Sequence, residues 1–297
     1  MLKNRVDLNL LAADYLNGLR LAALSRKYGL SQTSIFHRLV RAGVPTTRKT
    51  YRYDGRFFAQ IDTEQKAYFL GYLTTDGYLV EGPRRYVVTL TSVEPDIPRA
   101  FAAALGNLPV YEIPPSGVRR PSTEYRVSVC SKAMVEDLVA LGLRQAKSGK
   151  ETFCEAVPSD LTRHYLRGLF DGDGSLGTYD YSPYRAQHRI SLVGSFSLLS
   201  RVATVLAESL NIPMASVRCK AGSLYVISWN GNGLAPRVAN WLYTDSSIAL
   251  SRKKAIAQSM AATIARPWTQ SFYGRRLQEG KGSPRIDFEC VICAERP

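Results

Sequence analysis

With 297 residues, 45% of them hydrophobic and 10% aromatic, the chain has the makeup of a folded globular protein and not of a disordered one. No apolar run approaches the roughly 20 residues that span a bilayer, and the start Met1-Leu2-Lys3-Asn4-Arg5 lacks a signal-peptide stretch, so a cytoplasmic protein with no membrane partner is expected. The net charge of +14 favours polyanions, and it is uneven: residues 1–56 hold 11 Lys/Arg against 3 Asp/Glu.

The first helix is predicted over residues 7–17, where leucines and alanines recur at helical spacing. Between Leu21 and Val44, Leu24, Leu30, Ile35 and Leu39 form an apolar seam for two more short helices. Gly29 stands at the tight turn between them and Ser31 at the cap of the second. The pattern resembles a helix-turn-helix over residues 1–45, with Ser25 where that motif usually carries Ala. Gln32, Thr33, Ser34, His37 and Arg38 then project from the start of a recognition helix, where such side chains reach base edges or phosphates. An ordinary helical hairpin with a solvated polar face fits the same pattern, but the local charge favours DNA. Residues 46–60, with Arg48 and Lys49, read as a basic linker tracking phosphates.

An internal repeat follows. Ala67-Tyr-Phe-Leu-Gly71-Tyr-Leu-Thr-Thr-Asp76-Gly77 is matched by His164-Tyr-Leu-Arg-Gly168-Leu-Phe-Asp-Gly-Asp173-Gly174, 97 residues on. Each copy reads as a short apolar helix with a central glycine, ending in Asp-Gly. A glycine inside a helix costs about 1 kcal/mol, so Gly71 and Gly168 need a compensating role, which close packing of two helix backbones supplies. Gly77 and Gly174 suit the left-handed position that ends a helix. Asp76 and Asp173 would then sit at helix C-termini, where the macrodipole disfavours anions. Brought together, two such carboxylates repel unless a cation intervenes, and a hard divalent ion held by carboxylate and carbonyl oxygens resolves the conflict. Asp171-Gly-Asp173-Gly-Ser175 is not a calcium-binding EF-hand loop, because Leu176 and Ser182 replace the glycine and glutamate it requires.

These segments are similar to the motif of the LAGLIDADG homing endonuclease family, as are the flank Ile61–Tyr68 and the stretch from Leu242 to Lys254. The resemblance covers about residues 57–265 and departs at Thr74, where an acid is common. It implies an α+β fold of two pseudo-symmetric αββαββα halves, residues 61–155 and 156–266, forming a saddle-shaped DNA-binding sheet behind the small all-α domain. It also implies a site-specific double-strand DNA endonuclease that leaves short 3′ overhangs. Two or three Mg2+ ions, with Mn2+ able to substitute, would be held by Asp76 and Asp173 and by the carbonyls of Thr75 and Gly172. A basic residue beside each site is expected in the family; by position these are Lys147 and Lys253, with Lys150 and Lys254 as neighbours.

Period-two alternation predicts strands that complete each half. Val88, Leu90, Tyr125, Val127 and Val129 are expected inward, and Arg85 and Arg126 outward. In the second half Arg185, Gln187, Arg189 and Ser191 share the outer face, opposite Ala186, His188, Ile190 and Leu192. A later strand turns Arg218 and Lys220 outward and Val217 and Cys219 inward. Outward Arg and Gln suit bidentate bonds to purines. Helices are predicted at 131–141, 197–210, 234–243 and 251–264. The tail, residues 267–297, is basic and carries Cys290 and Cys293, half of a zinc site. Two halves in one chain predict a monomer that needs only double-stranded DNA as partner. A DNA-binding regulator that does not cut, or an RNA maturase, are the alternatives. An intein is disfavoured, because splice-junction residues are missing at Met1-Leu2 and Arg296-Pro297.

Overall fold

The computed structural model describes residues 6–46, 51–83, 85–118, 120–145, 149–182 and 185–262, with the side chains of 180–186 excepted. The chain divides into two compact units, Met1–Arg52 and Tyr53–Pro297.

The first unit holds α1 (Leu8–Leu16), α2 (Leu21–Tyr28) and α3 (Gln32–Arg41). The Asp7 carboxylate caps α1 by accepting from the Asn9 amide at 2.8 Å. α2 ends at Gly29 with φ +64°, a conformation open to glycine without strain. The Ser31 hydroxyl then caps α3 by accepting from the Ser34 amide at 3.1 Å. Leu24, Ile35 and Leu39 are buried with Leu11, and Leu30 packs against them, as the apolar spacing predicts. Ser25 donates its hydroxyl to the Leu30 carbonyl at 2.6 Å, so at this position a hydrogen bond fastens the turn where an alanine methyl would only fill space.

The larger unit runs α4 (Glu64–Thr75), β1 (Gly77–Gly82), β2 (Arg85–Ser92), α5 (Asp96–Leu105), β3 (Tyr111–Ile113), β4 (Glu124–Val129), α6 (Lys132–Ala140). It continues with α7 (Thr162–Asp173), β5 (Gly174–Ser182), β6 (Arg185–Gly194), α8 (Phe196–Leu210), β7 (Arg218–Ala221), β8 (Leu224–Asn230), α9 (Gly231–Tyr243) and α10 (Ser251–Ala261). This is αββαββα twice, with one added helix. Each half forms an antiparallel four-stranded sheet, ordered β1-β2-β4-β3 and β5-β6-β8-β7. One core joins both halves, built from inner strand faces and apolar helix stripes. Phe57 and Phe58, inside the segment read from sequence as a linker, are 5% and 1% exposed in this core.

The registers bear out most of the strand alternation. Val88 pairs with Val129 and Leu90 with Val127 on the buried face of the first sheet, where Tyr125 is half-buried. On the second, Ile190 pairs with Trp229 and Leu192 with Ile227, all buried. The third strand of that half differs from expectation: every residue of β7 is exposed, Cys219 included, and Val217 is half-buried just before it. β7 is a four-residue edge strand with a register shift between Cys219 and Ala221, so the strict inward–outward alternation is lost there.

Candidate active site at the paired helix ends

α4 and α7 meet along their backbones. A Cβ placed on Gly71 would lie 2.0 Å from the Tyr165 carbonyl oxygen and 3.1 Å from the Leu169 nitrogen. One on Gly168 would lie 2.1 Å from the Tyr68 carbonyl oxygen and 2.7 Å from the Tyr72 nitrogen. Each glycine thus meets the residues three before and one after its counterpart, which is the twofold relation that the 97-residue repeat carries. Any side chain would part the helices.

The close packing brings the two C-terminal ends together. A Cβ on Gly172 would lie 1.9 Å from the Thr75 hydroxyl oxygen and 3.5 Å from an Asp76 carboxylate oxygen. Asp76 caps α4, Asp173 is the last residue of α7, and both are exposed. Gly77 and Gly174 begin β1 and β5 directly, and here the structure departs from the sequence expectation. Neither takes a left-handed φ, and Gly174 is extended at φ −85° and ψ 157°. Glycine is required by space: a Cβ would lie 2.5 Å from the Leu73 carbonyl oxygen and 2.3 Å from that of Phe170.

Beneath these ends lies a buried polar network that residue spacing did not disclose. Asp171, 1% exposed, accepts from the Tyr68 hydroxyl at 2.8 Å and the Leu250 amide at 2.7 Å on one oxygen, and from the Tyr243 hydroxyl at 2.6 Å on the other. Burial raises its pKa, and these donors work against that rise. Arg167, fully buried, donates to the carbonyls of Ile248 at 2.8 Å and Leu242 at 3.1 Å and to the Glu64 carboxylate. Burial pushes Glu64 up, but the Ser247 amide, 2.8 Å away, and Arg167 outweigh it and leave its pKa lowered. The segment between α9 and α10 is thereby tied to both motif helices. Arg167→Met would take its buried cation from the Glu64 carboxylate and a donor from each of two carbonyls, and we expect it to cost about 3–5 kcal/mol in urea unfolding. A cost under about 1 kcal/mol would show that the ties do not hold the segment. Arg167 and Asp171, a charged pair one turn apart within the motif helix, were the sequence signal that could have found this network.

Lys253, 4% exposed, donates to the carbonyls of Phe170 at 2.7 Å, Asp171 at 2.8 Å and Gly174 at 2.7 Å, with that of Gly172 at 3.5 Å. An ammonium has three N–H groups, and the three short bonds use them all. The side chain supplies a fixed positive charge at the end of α7, where the dipole is negative. Burial pushes its pKa down, and Asp171, Asp76 and Asp173 oppose that by their charge. Lys254 donates instead to the Ser246 carbonyl at 2.7 Å. Lys150 is exposed; Lys147 lies outside the described residues.

The donors at the paired ends are hard oxygens: two carboxylates and the carbonyls around them. Among the described residues no cluster of three or more His, Cys, Asp or Glu forms, here or elsewhere. This donor set suits a hard divalent cation completed by water or phosphate oxygens.

The expected nucleic-acid contacts fall on the two sheets and on α3. On the first sheet, Arg126 shares the face opposite the core with Thr91 and Tyr111, and its Nε donates to the Thr91 hydroxyl at 3.3 Å. Arg85 is exposed at the start of β2. On the second sheet Gln187, Arg189 and Ser191 share the outer face, with Arg189 exposed and paired to Asn230. Arg218 and Lys220 are exposed on β7; of Arg185 only the backbone is described. On α3, Gln32, Thr33, Ser34 and His37 are exposed and Arg38 is half-buried. The Ser34 hydroxyl lies 2.9 Å from that of Ser31, turned toward the cap. Phe36 and Val40, absent from the polar set chosen by sequence, are exposed on the same helix. Arg48, Lys49, Cys290 and Cys293 lie outside the described residues. Among the described residues no helix is long and apolar enough to cross a membrane.

No protein-family profile matches the chain, and no curated protein matches it. Solved structures do. The homing endonuclease I-WcaI bound to its DNA recognition sequence is 12% identical, over 67% of this chain and 87% of that one, with a TM-score of 0.46. The LAGLIDADG homing endonuclease I-GzeII in complex with its DNA target is 10% identical over 74% and 99%, with a TM-score of 0.44. I-DmoI, in complex with DNA and Mn, is 16% identical over 66% and 100%, with a TM-score of 0.40. The chain is thus similar, remotely, to solved homing endonucleases.

Proposed function

We propose that the chain is a divalent-metal-dependent, site-specific double-strand DNA endonuclease of the LAGLIDADG homing type. The observation that carries this reading is the junction of the two Asp-Gly helix ends. Two repeated helices spend their central glycines on backbone contact, and the result is Asp76 beside Gly172 at the end that bears Asp173. Two acids at adjoining helix C-termini are unfavourable for stability alone, so a cation is their natural complement.

Asp76 and Asp173 would hold two or three Mg2+ ions, or Mn2+ in their place, with the carbonyls of Thr75 and Gly172. Bound there, such ions polarise a phosphodiester and lower the pKa of water. Lys253 keeps the end of α7 in one geometry and offsets negative charge, and Lys147 is the counterpart proposed for the first half. The two sheets that begin beside the acids carry Arg85, Arg126, Arg185, Gln187, Arg189, Arg218 and Lys220 for groove and phosphate contacts. Gln32, Thr33, Ser34, His37 and Arg38 on α3, with Arg48 and Lys49, lengthen the recognised site. Two acid-bearing halves in one chain make a working monomer that cuts both strands and leaves short 3′ overhangs.

The test is incubation of the full chain with a random-site duplex library and Mg2+. Expected are duplex ends with short 3′ overhangs from one long preferred site, lost on chelation and restored by Mn2+. Selective binding with no nick in either strand would overturn the endonuclease reading in favour of a DNA-binding regulator.

A further inference from the structure

The two motif helices differ two residues before their terminal acids. Where the second carries Asp171, the first carries Thr74. Tyr68 reaches across the helix pair to Asp171 at 2.8 Å, whereas the hydroxyl of its counterpart Tyr165 accepts from the Cys154 amide at 3.3 Å. The Thr74 hydroxyl donates back to its own helix, to the Leu70 carbonyl at 2.8 Å. It is a neutral group, whereas Asp171 gathers three donors from three elements, α4, α9 and the first residue of the α10 cap. Charge-assisted bonds are about twice as strong as neutral ones, so a hydroxyl is no equivalent.

The Leu250 amide is the link onward. Leu250 is the cap residue of α10, and Lys253 stands one turn inside that helix. Holding Leu250 fixes the start of α10, and with it the ammonium that clasps the carbonyls of Phe170, Asp171 and Gly174 around Asp173.

Resting on the endonuclease reading above, we infer that Asp171 is a positioning residue that acts through Leu250 and Lys253 more strongly on the Asp173 end than on the Asp76 end, so that the two DNA strands are cut at unequal rates. A carboxylate already set in place needs no reordering when the cation and the phosphate arrive. The cut that depends on the Asp173 end is the faster one.

The experiment follows each strand separately, in single-turnover cleavage of a library-selected site labelled on one strand or the other. Wild type is expected to cut the strands unequally. Asp171→Asn should slow the faster cut on the order of tenfold, the scale for losing a partner behind a metal ligand, and leave the slower cut within about twofold. Tyr243→Phe, which removes one donor and keeps the ring, should shift the same cut by less. Equal wild-type rates, or equal slowing of both cuts in Asp171→Asn, would overturn the inference. A second readout needs no cleavage: hydrogen exchange of the Leu250 amide and the first turn of α10 should accelerate in Asp171→Asn more than in α4. Unchanged protection there would overturn the inference even if wild type cuts neither strand, an outcome that would instead sink the endonuclease reading.

Discussion

Asp173→Asn should lower the rate of DNA cleavage at least about a thousandfold and leave DNA binding intact. Loss of a group that only supports a metal ligand costs 10–100-fold as a rule, and this substitution removes a proposed ligand itself. Asparagine keeps the shape and one oxygen of the side chain, so helix packing is untouched. What disappears is the negative charge that offsets a divalent ion. Binding has the opposite sensitivity, because affinity for duplex DNA comes chiefly from neutralising phosphates. Removing an exposed anion from a surface facing those phosphates should hold affinity or raise it slightly. The measurement pairs single-turnover cleavage in Mg2+ with a binding titration in Ca2+ at one salt concentration. Cleavage within about tenfold of wild type would end the assignment of Asp173.

The second large effect is on folding. Gly71→Ala sets a methyl 2.0 Å from the Tyr165 carbonyl oxygen, and that oxygen belongs to a helix backbone with no rotamer to yield. Overpacking of this kind typically costs about 1–3 kcal/mol and sometimes more, and here a whole helix must move. The better helix propensity of alanine returns only about 1 kcal/mol. A net loss of about 3 kcal/mol is expected, a fall of about 6–12 °C in the Tm of the larger unit. Gly168→Ala should match it, since its Cβ would lie 2.1 Å from the Tyr68 carbonyl oxygen. Parting α4 from α7 also parts Asp76 from Asp173. Cleavage should therefore fall even at temperatures where the variant is fully folded. A thermal melt within about 2 °C of wild type would show that these helices do not depend on backbone contact.

The architecture was open to a sequence reading because its signals are local and repeated. Alternating Val and Leu marked the inner faces of β2, β4 and β6, and Gly29 with Ser31 marked the turn before α3. The doubled glycine-bearing helix marked the symmetry. Where local pattern is weak the expectation slipped, as at β7, an edge strand too short and irregular to bury alternate residues.

At the site, sequence determined which residue types stand at the ends of the two motif helices. The meeting of those ends was an inference from the repeat, and only the packing of α4 on α7 gives it distances. Sequence assigned Gly77 and Gly174 to a left-handed turn, but in the structure neither has a positive φ, and it is the lack of a Cβ that spares a collision with the Leu73 and Phe170 carbonyls. Sequence offered Lys253 as a residue beside the acids. The tertiary structure decided that its ammonium is spent on three carbonyls at the junction of α7 and β5, and that Asp171 and Arg167 bind a segment some 80 residues away. The physical reason is common to all of these: helix and strand periods are written in neighbouring residues, whereas a buried charge takes its partners from whichever donors the packed chain delivers to it.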